Sequence, residues 1–436
     1  MTELATEGKV YDAEKAALAL AATNDEERSS AVEAIARELE HSREQILAAN
    51  ETDVEAAEAM LAAGEYSQAL VDRLALSDTK IDGIVEMVRS VAEQNDPLGQ
   101  ITAATRLDDG LTLYKRSVPI GVVGSVFESR PDALVQIAAL CLKSGNAVIL
   151  KGGSEASETN RLLFQLIESA TKTMPSGWAQ QIEAREDVDT LLAMDNSIDL
   201  LMPRGSTEFV QYMQDNTSIP VLGHADGICH VYVDKDADIS MAADIAFDAK
   251  VQYPAVCNAV ETLLVHESIA EEFLPVIAKR YAEAGVEMRG DTRARSYASM
   301  NEATEEDWTT EYGDLIVSIA VVDSLSEAIN HITTFGSKHT EAIVTESTDR
   351  AHQFRQGLDS SSVFHNASTR FADGYRFGLG AEVGISTGKI HARGPVGLTG
   401  LTTYQYALEG NGHLVSTYAG EDAKPFTHEQ LDLEDL

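Results

Sequence analysis

Cys257 lies in the run Tyr253-Pro254-Ala255-Val256-Cys257-Asn258-Ala259-Val260 and is one of three cysteines in the chain. A thiol acts as a nucleophile when its surroundings favour the thiolate, and it can then carry an acyl group as a thioester. This thiol follows a glycine-bearing αβ half and sits on a stretch that reads as a loop. A lone cysteine is more often a small buried hydrophobe, and that reading fits the other two. Cys141 closes the apolar stretch 134–140. Cys229 lies in Gly227-Ile228-Cys229-His230-Val231, beside a strand-like segment. Three cysteines, few and odd, give no disulfide framework. No CxxC or HExxH spacing offers a metal site, so no metal is expected.

Three loops, at 125–130, 151–155 and 204–207, each follow an apolar strand. In open αβ sheets, ligands sit beyond the carboxyl ends of the strands. Helix N-termini there offer free N–H groups and partial positive charge to phosphates. None of the three loops is a GxGxxG turn or a P-loop, so neither fingerprint applies. Lys151, directly after a strand, can aim a cation at a ribose phosphate.

The elements that must position these loops are legible in the spacing of apolar residues. Residues 12–95 read as helices: Val32, Ile35, Ala36, Leu39, Ile46 and Leu47 recur at near-helical intervals. A later helix over 77–91 places Ile81, Ile84, Val85 and Val88 on one face, with Ser77 or Asp78 as its N-cap. Alternation at 111–115 after the turn Asp108-Asp109-Gly110 predicts a strand. The apolar segment 120–124 predicts another, followed by a helix from Pro131, whose ring is tolerated at a first helical position. Strand 147–150, a helix from 156 to about 171, strand 198–202 and a helix over 208–216 continue the pattern. Strand, loop, helix and strand at these intervals describe a parallel sheet with right-handed crossovers. Strands at 221–222 and 230–233, a helix over 238–251 and a second αβ segment from Glu261 to about 362 follow. No repeat or long linker separates them, so the domains are expected to interleave.

With 436 residues and 44% hydrophobic residues, the chain can build two or three real cores. It carries 71 Asp plus Glu against 33 Lys plus Arg, a formal net charge of -38. That charge repels nucleic-acid backbones and anionic membranes. Spread over the whole chain, it suits a salt-rich interior where screening suppresses self-repulsion. The sequence has no long apolar run of membrane-spanning length and no secretory pattern at its start, so a reduced, cytoplasmic setting is expected.

Five runs together resemble the aldehyde dehydrogenase superfamily: VPIGVVGSVFESRPDA (118–133), LKSGNAVILKGGSEA (142–156), MPRGST (202–207), YPAVCNAVETLLVHE (253–267), and the C-terminal run from Val363 to Leu398. The resemblance implies an α/β fold with a doubly wound cofactor domain, an α/β catalytic domain and a small β arm. It places the NADP-binding domain at 1–100 and 119–245, the catalytic domain at 246–395, and the arm and tail at 101–118 and 396–436. It implies that Cys257 is the nucleophile and that Asn258 helps to hold the oxyanion. Lys151, Ser154 and Glu155 match the loop that meets the adenosine ribose. Lys151 there favours a 2'-phosphate, hence NADPH/NADP+. Gly205 and Ser206 match the turn facing pyrophosphate and nicotinamide, and Glu311 matches the acid that holds the nicotinamide ribose. Asn366, Ala367, Ser368 and Thr369 match the loop that grips the far end of a substrate, with Arg370 beside it for a carboxylate. Ser129 and Arg130 occupy the loop facing the thiol, and Arg130 is the candidate partner of a phosphate.

One departure from the superfamily pattern is informative. Members that hydrolyse their thioester carry Glu in a Glu-Leu-Gly-Gly run as the base for water. Here that run is Val221-Leu222-Gly223-His224, and Val221 cannot take a proton. That absence supports acyl-phosphate chemistry over oxidation of an aldehyde to a free acid, and the resemblance implies NADPH-dependent reduction of L-glutamyl 5-phosphate to L-glutamate 5-semialdehyde and phosphate, the second step from glutamate to proline. A general aldehyde dehydrogenase, or a reductase of another acyl phosphate, is the alternative. A Cys-His hydrolase using Cys257 with His224 or His391, and a non-catalytic assembly protein, are further readings. His224, His339, His365 and His391 otherwise read as surface or hydrogen-bonding residues. The arm implies a homo-oligomer. No amino-acid kinase domain is visible, so a separate glutamate 5-kinase would supply the labile substrate, with transient contact between the two.

Overall fold

The computed structural model describes residues 2–184, 186–224 and 226–435. Its N-terminal part is helical, as the apolar spacing predicts. The helix Asp25–His41 starts at a capping box in which Asn24 accepts from Glu27 N–H and the Glu27 carboxylate accepts from Asn24 N–H. The helix Asp78–Glu93 is capped by Ser77, whose hydroxyl accepts from Lys80 N–H. Ile81, Ile84, Val85 and Val88 form its buried face. They join one apolar core with the helix Pro131–Lys143, which begins with proline at its first position.

A four-stranded parallel sheet follows, in the order Ala179–Ile182, Ala147–Gly152, Val122–Phe127 and Leu200–Arg204. The strand Val122–Phe127 is buried along its whole length. Such a strand reads as a continuous apolar run because helices cover both faces. It has the next strand in sequence on one side and a later one on the other. The chain thus reverses direction across it, and a crevice opens beyond its carboxyl end. The loops after Phe127 and Arg204 lie side by side there, with Glu128 N–H bonded to the Arg204 carbonyl at 2.9 Å.

A seven-stranded parallel sheet runs Asn301–Glu302, Glu287–Gly290, Ile316–Val322, Val260–His266, Cys229–Val233, Thr340–Val344 and Ser362–His365. Its strand Cys229–Val233 pairs on both sides, so this sheet draws on residues upstream of 246, and the expected boundary at 245 falls inside the helix Ile239–Val251. That helix is capped by Asp238, which accepts from Met241 N–H at 2.7 Å. A third, antiparallel sheet joins Thr402–Glu409, Leu111–Pro119, Ile101–Asp108 and Glu429–Gln430 in that order. Among the described residues, no helix is long and apolar enough to cross a membrane.

Candidate active site

The two parallel sheets meet at a cavity of about 1120 Å³. Loops from the four-stranded sheet line one side of it, through Glu128, Ser129, Arg130, Arg204, Gly205 and Ser206. The turn between the helix Ile239–Val251 and the strand Val260–His266 lines the other, and it carries Cys257. This thiol is half-buried, whereas Cys141 and Cys229 are buried. Burial pushes both of those thiols well above their ordinary range, which leaves them unreactive. Cys229 instead braces the site by donating to the Cys257 carbonyl at 3.1 Å. Gly227 packs on the same backbone. A Cβ at Gly227 would lie 2.4 Å from the Cys257 carbonyl oxygen and 2.5 Å from its Cα, so only glycine lets the two segments approach.

Guanidinium groups surround the thiol. Arg204 lies partly buried next to Arg130, and its Nη1 donates to Gln136 at 3.2 Å. Burial lowers the Arg204 pKa, and the neighbouring Arg130 charge lowers it further; Glu382, Asp132 and Cys257 oppose that shift. Arg370 also lines the cavity, with its Nε donating to Gln252 at 2.9 Å. Burial and then Arg376 lower its pKa, against Asp373 and Cys257. These cations are incompletely compensated, a state that a bound anion relieves. Glu382 lies in the same wall and accepts from Gly374 N–H at 2.8 Å. Burial pushes its carboxyl up to about 7, in spite of the Arg204 charge.

The residues singled out in the sequence divide between the cavity and its supports. Cys257, Asn258, Ser129, Arg130, Glu155, Gly205, Ser206, Glu311 and Arg370 reach the cavity wall. Several of them are already engaged. Glu155 accepts from both the backbone N–H and the hydroxyl of Ser129, whose φ of 48° makes the loop turn sharply. Ser206 N–H is held by Glu128 at 3.0 Å, and its hydroxyl caps the helix Thr207–Asp215. Glu311 accepts from Gly227 N–H at 2.7 Å and so tethers the segment that packs on Cys257. Asn258 donates one amide N–H to the Ala372 carbonyl at 2.7 Å, and its Oδ1 is buried without a partner.

Lys151 and Ser154 lie outside the lining; Lys151 is buried at the end of its strand and Ser154 is exposed. Asn366 bonds both ways to the Thr345 backbone, at 2.9 and 3.0 Å, with a φ of 53°. Ser368 caps Arg370 N–H and Thr369 is fully buried. This loop therefore shapes the wall from behind, and only Arg370 of the group faces the cavity. Val221 also stays out of it, forming a bridge with Leu201, while Leu222, Gly223 and His224 enter the lining.

Sequence reasoning gave no site role to Arg204, Glu382 or Gly227 and gave His339 a structural role. His224 and His339 stand with their rings edge-on, centroids 4.8 Å apart. One ring nitrogen of each and the Cys257 sulfur all lie within 4.8 Å of one another. Local sequence carries no signal for this, because His339 directly precedes the strand Thr340–Val344, far along the chain. Arg204 carried the one available signal, its place directly after a strand in a candidate ligand loop.

A model of the aldehyde dehydrogenase family matches residues 2–314. A gamma-glutamyl phosphate reductase of Natronomonas pharaonis is 71% identical over 434 residues, covering 99% of each chain. That of Haloquadratum walsbyi is 65% identical and covers 98% of this chain and 95% of its own. The crystal structure of gamma-glutamyl phosphate reductase from Thermotoga maritima matches with a TM-score of 0.90 at 40% identity, covering 94% of this chain and 99% of that one.

Proposed function

The chain belongs to the aldehyde dehydrogenase family, and from that premise we propose that it reduces L-glutamyl 5-phosphate to L-glutamate 5-semialdehyde and phosphate, a step towards proline, with NADPH as the reductant. One observation carries the reading: the half-buried thiol of Cys257 opens into the same cavity as Arg130, Arg204 and Arg370. Guanidiniums around a nucleophile suit an anionic acyl donor. A neutral aldehyde has no use for them.

The Cys257 sulfur bonds to the acyl carbon as the bond to phosphate oxygen breaks. Arg130 and Arg204 hold the departing phosphate, and Arg370 takes the substrate carboxylate. The remaining amide N–H of Asn258 and backbone N–H groups of the Cys257 turn steady the oxyanion. Residues fit for a nicotinamide cofactor lie on the opposite wall. Gly205 and Ser206 stand at the N-terminus of the helix Thr207–Asp215, where a pyrophosphate is favoured. A Cβ at Gly205 would come within 2.5 Å of the Glu128 carboxylate and push it from its bond to Ser206 N–H. Lys151, Ser154 and Glu155, at the end of the neighbouring strand, would hold the adenosine ribose end, with Lys151 favouring a 2'-phosphate, and Glu311 would hold the nicotinamide ribose. Hydride for the thioester carbon comes from the nicotinamide when it is bound. The four-stranded sheet thus carries the cofactor loops and the seven-stranded sheet the thiol. Val221 packs into the core and offers no carboxylate to activate water, which keeps the thioester for exchange with phosphate.

The test runs the reaction backwards. NADP+ reduction by pyrroline-5-carboxylate, the cyclised form of the aldehyde, is followed in molar KCl with and without phosphate. Phosphate-dependent turnover that disappears in Cys257→Ala is expected. Turnover without phosphate would make this a hydrolysing dehydrogenase, with His224 standing where the base is needed.

A further inference from the structure

We propose that His224, Cys257 and His339 form a three-ligand site for a borderline-soft divalent cation, Zn²⁺ in character, and that its occupation closes the thiol to acylation. Two imidazoles and a thiolate are a donor set that selects Zn²⁺ over hard cations such as Mg²⁺ or Ca²⁺. The three donor atoms already lie within 4.8 Å of one another. Side-chain rotation brings such a set onto one ion.

The second contacts of both rings favour metal binding. The Nδ1–H of His224 donates to the Ile385 carbonyl at 2.8 Å. A carbonyl only accepts, so this bond fixes the tautomer and leaves Nε2 with its lone pair, as it does for histidine ligands whose other nitrogen is held. His339 is fully buried, and its Nδ1 lies 2.9 Å from the Thr340 hydroxyl and 3.5 Å from the Cys229 sulfur. Its Nε2 is buried and has no hydrogen-bond partner. Native structures rarely leave a buried ring nitrogen unpaired without a reason. A cation between the two rings satisfies it. The cavity beside Cys257 leaves the fourth tetrahedral position to water.

The step is a ligand exchange. The Cys257 S–H bond breaks, an S–Zn bond forms, and one proton goes to solvent for each ion bound. No electron moves and a chelator reverses it. A sulfur whose lone pair is committed to Zn²⁺ does not attack an acyl carbon. The enzyme is then held off in a form that also resists alkylation and oxidation.

Co²⁺ tests the site because it reports its ligands by absorbance. The full-length protein, stripped with a chelator, is titrated with Co²⁺ in molar KCl. One equivalent is expected to give visible bands of a tetrahedral ion and a near-ultraviolet thiolate-to-cobalt band, both abolished by Zn²⁺. Cys257→Ser removes the thiolate band. His224→Ala and His339→Gln each weaken binding by at least about 100-fold, more than the loss of an outer contact. Circular dichroism confirms that each variant is folded. Zn²⁺ is expected to slow iodoacetamide labelling of Cys257 in the wild type, and EDTA to restore it. A thiolate band that survives in Cys257→Ser, or an affinity unmoved by both histidine changes, overturns the proposal. So does the absence of saturable binding. None of these readings depends on turnover, so failure of the reductase assignment would leave them intact.

Discussion

Glu382 shows how a single residue can be decisive and yet silent in the sequence. It stands in a glycine-rich stretch with no pattern to mark it, and the fold alone sets it in the wall beside Arg204. Burial raises its carboxyl from near 4.5 to about 7. The folded protein therefore holds this proton more tightly than the unfolded chain. Its contribution to stability is fully present below about pH 4.5 and is lost as pH rises through about 7. Glu382→Gln keeps the hydrogen-bonding shape and removes the titration. Urea midpoints in molar KCl, taken from about pH 5 to pH 8, are expected to fall with pH more steeply in the wild type than in the variant. Equal slopes would mean that Glu382 is ionised throughout. Cys257 was legible for the opposite reason. Its place in a loop between a helix and a strand is revealed by neighbouring residues, and its candidacy as nucleophile rests on the resemblance of the run 253–267. Asn366, Ser368 and Thr369 were legible as a loop. What each atom bonds to was not, because Thr345 reaches Asn366 only across the sheet.

At the scale of elements, the helix Ile239–Val251 and the strand Val260–His266 are the two rails that hold the Cys257 turn. Lys250, on the last turn of the helix, meets Glu261, on the strand, at 2.6 Å, and both side chains are buried. Burial lowers the Lys250 pKa and raises that of Glu261 to about 7, each towards neutrality; their mutual attraction opposes both shifts, helped by Cys229 and Asp314 at Lys250 and by the Gly313 N–H at Glu261. The pair ties helix to strand at the two ends of the turn that carries the nucleophile. Lys250→Met leaves a buried carboxylate without its cation and is expected to cost about 3–5 kcal/mol. The double variant Lys250→Met, Glu261→Leu removes the orphan and is expected to recover most of that loss. Urea unfolding of both measures it, and a double variant no better than the single would refute the tie. The helix was foreseen over 238–251, and the strand opens the αβ segment foreseen from Glu261; the cap at Asp238 was not. Nor was the order of strands. Cys229–Val233 has the next strand, Val260–His266, on one side and the distant Thr340–Val344 on the other, and periodicity states which faces are buried without stating which strands are neighbours.

For the whole molecule, the small antiparallel sheet raises the question of what lies against it. The strand Thr402–Glu409 is its outermost member, with one row of backbone groups unpaired by its own sheet. Tyr404, Tyr406 and Leu408 share one face of that strand and are 53%, 60% and 57% exposed. An exposed edge carrying apolar side chains is a template for pairing with another chain unless something guards it. Among the described residues, the one cation stacked on this row is Lys115, 3.8 Å above the Tyr404 ring, which leaves Tyr406 and Leu408 open. We propose a second copy of the chain as the occupant. Net charge works against that pairing, since each copy brings a formal -38. At about 0.1 M salt the screening length is about 10 Å, and at 1 M about 3 Å. Two acidic arms are therefore pushed apart in dilute buffer and brought together in concentrated salt, while the apolar contact gains from salt as well when the anion is excluded from protein surfaces. Light scattering across a KCl series is expected to show an oligomer in molar salt that falls to smaller species as salt is withdrawn. Tyr406→Asp with Leu408→Asp should shift that dissociation to higher salt or abolish the oligomer, with circular dichroism unchanged. A mass that is the same for the variant and the wild type at every salt concentration would place the interface elsewhere on the surface.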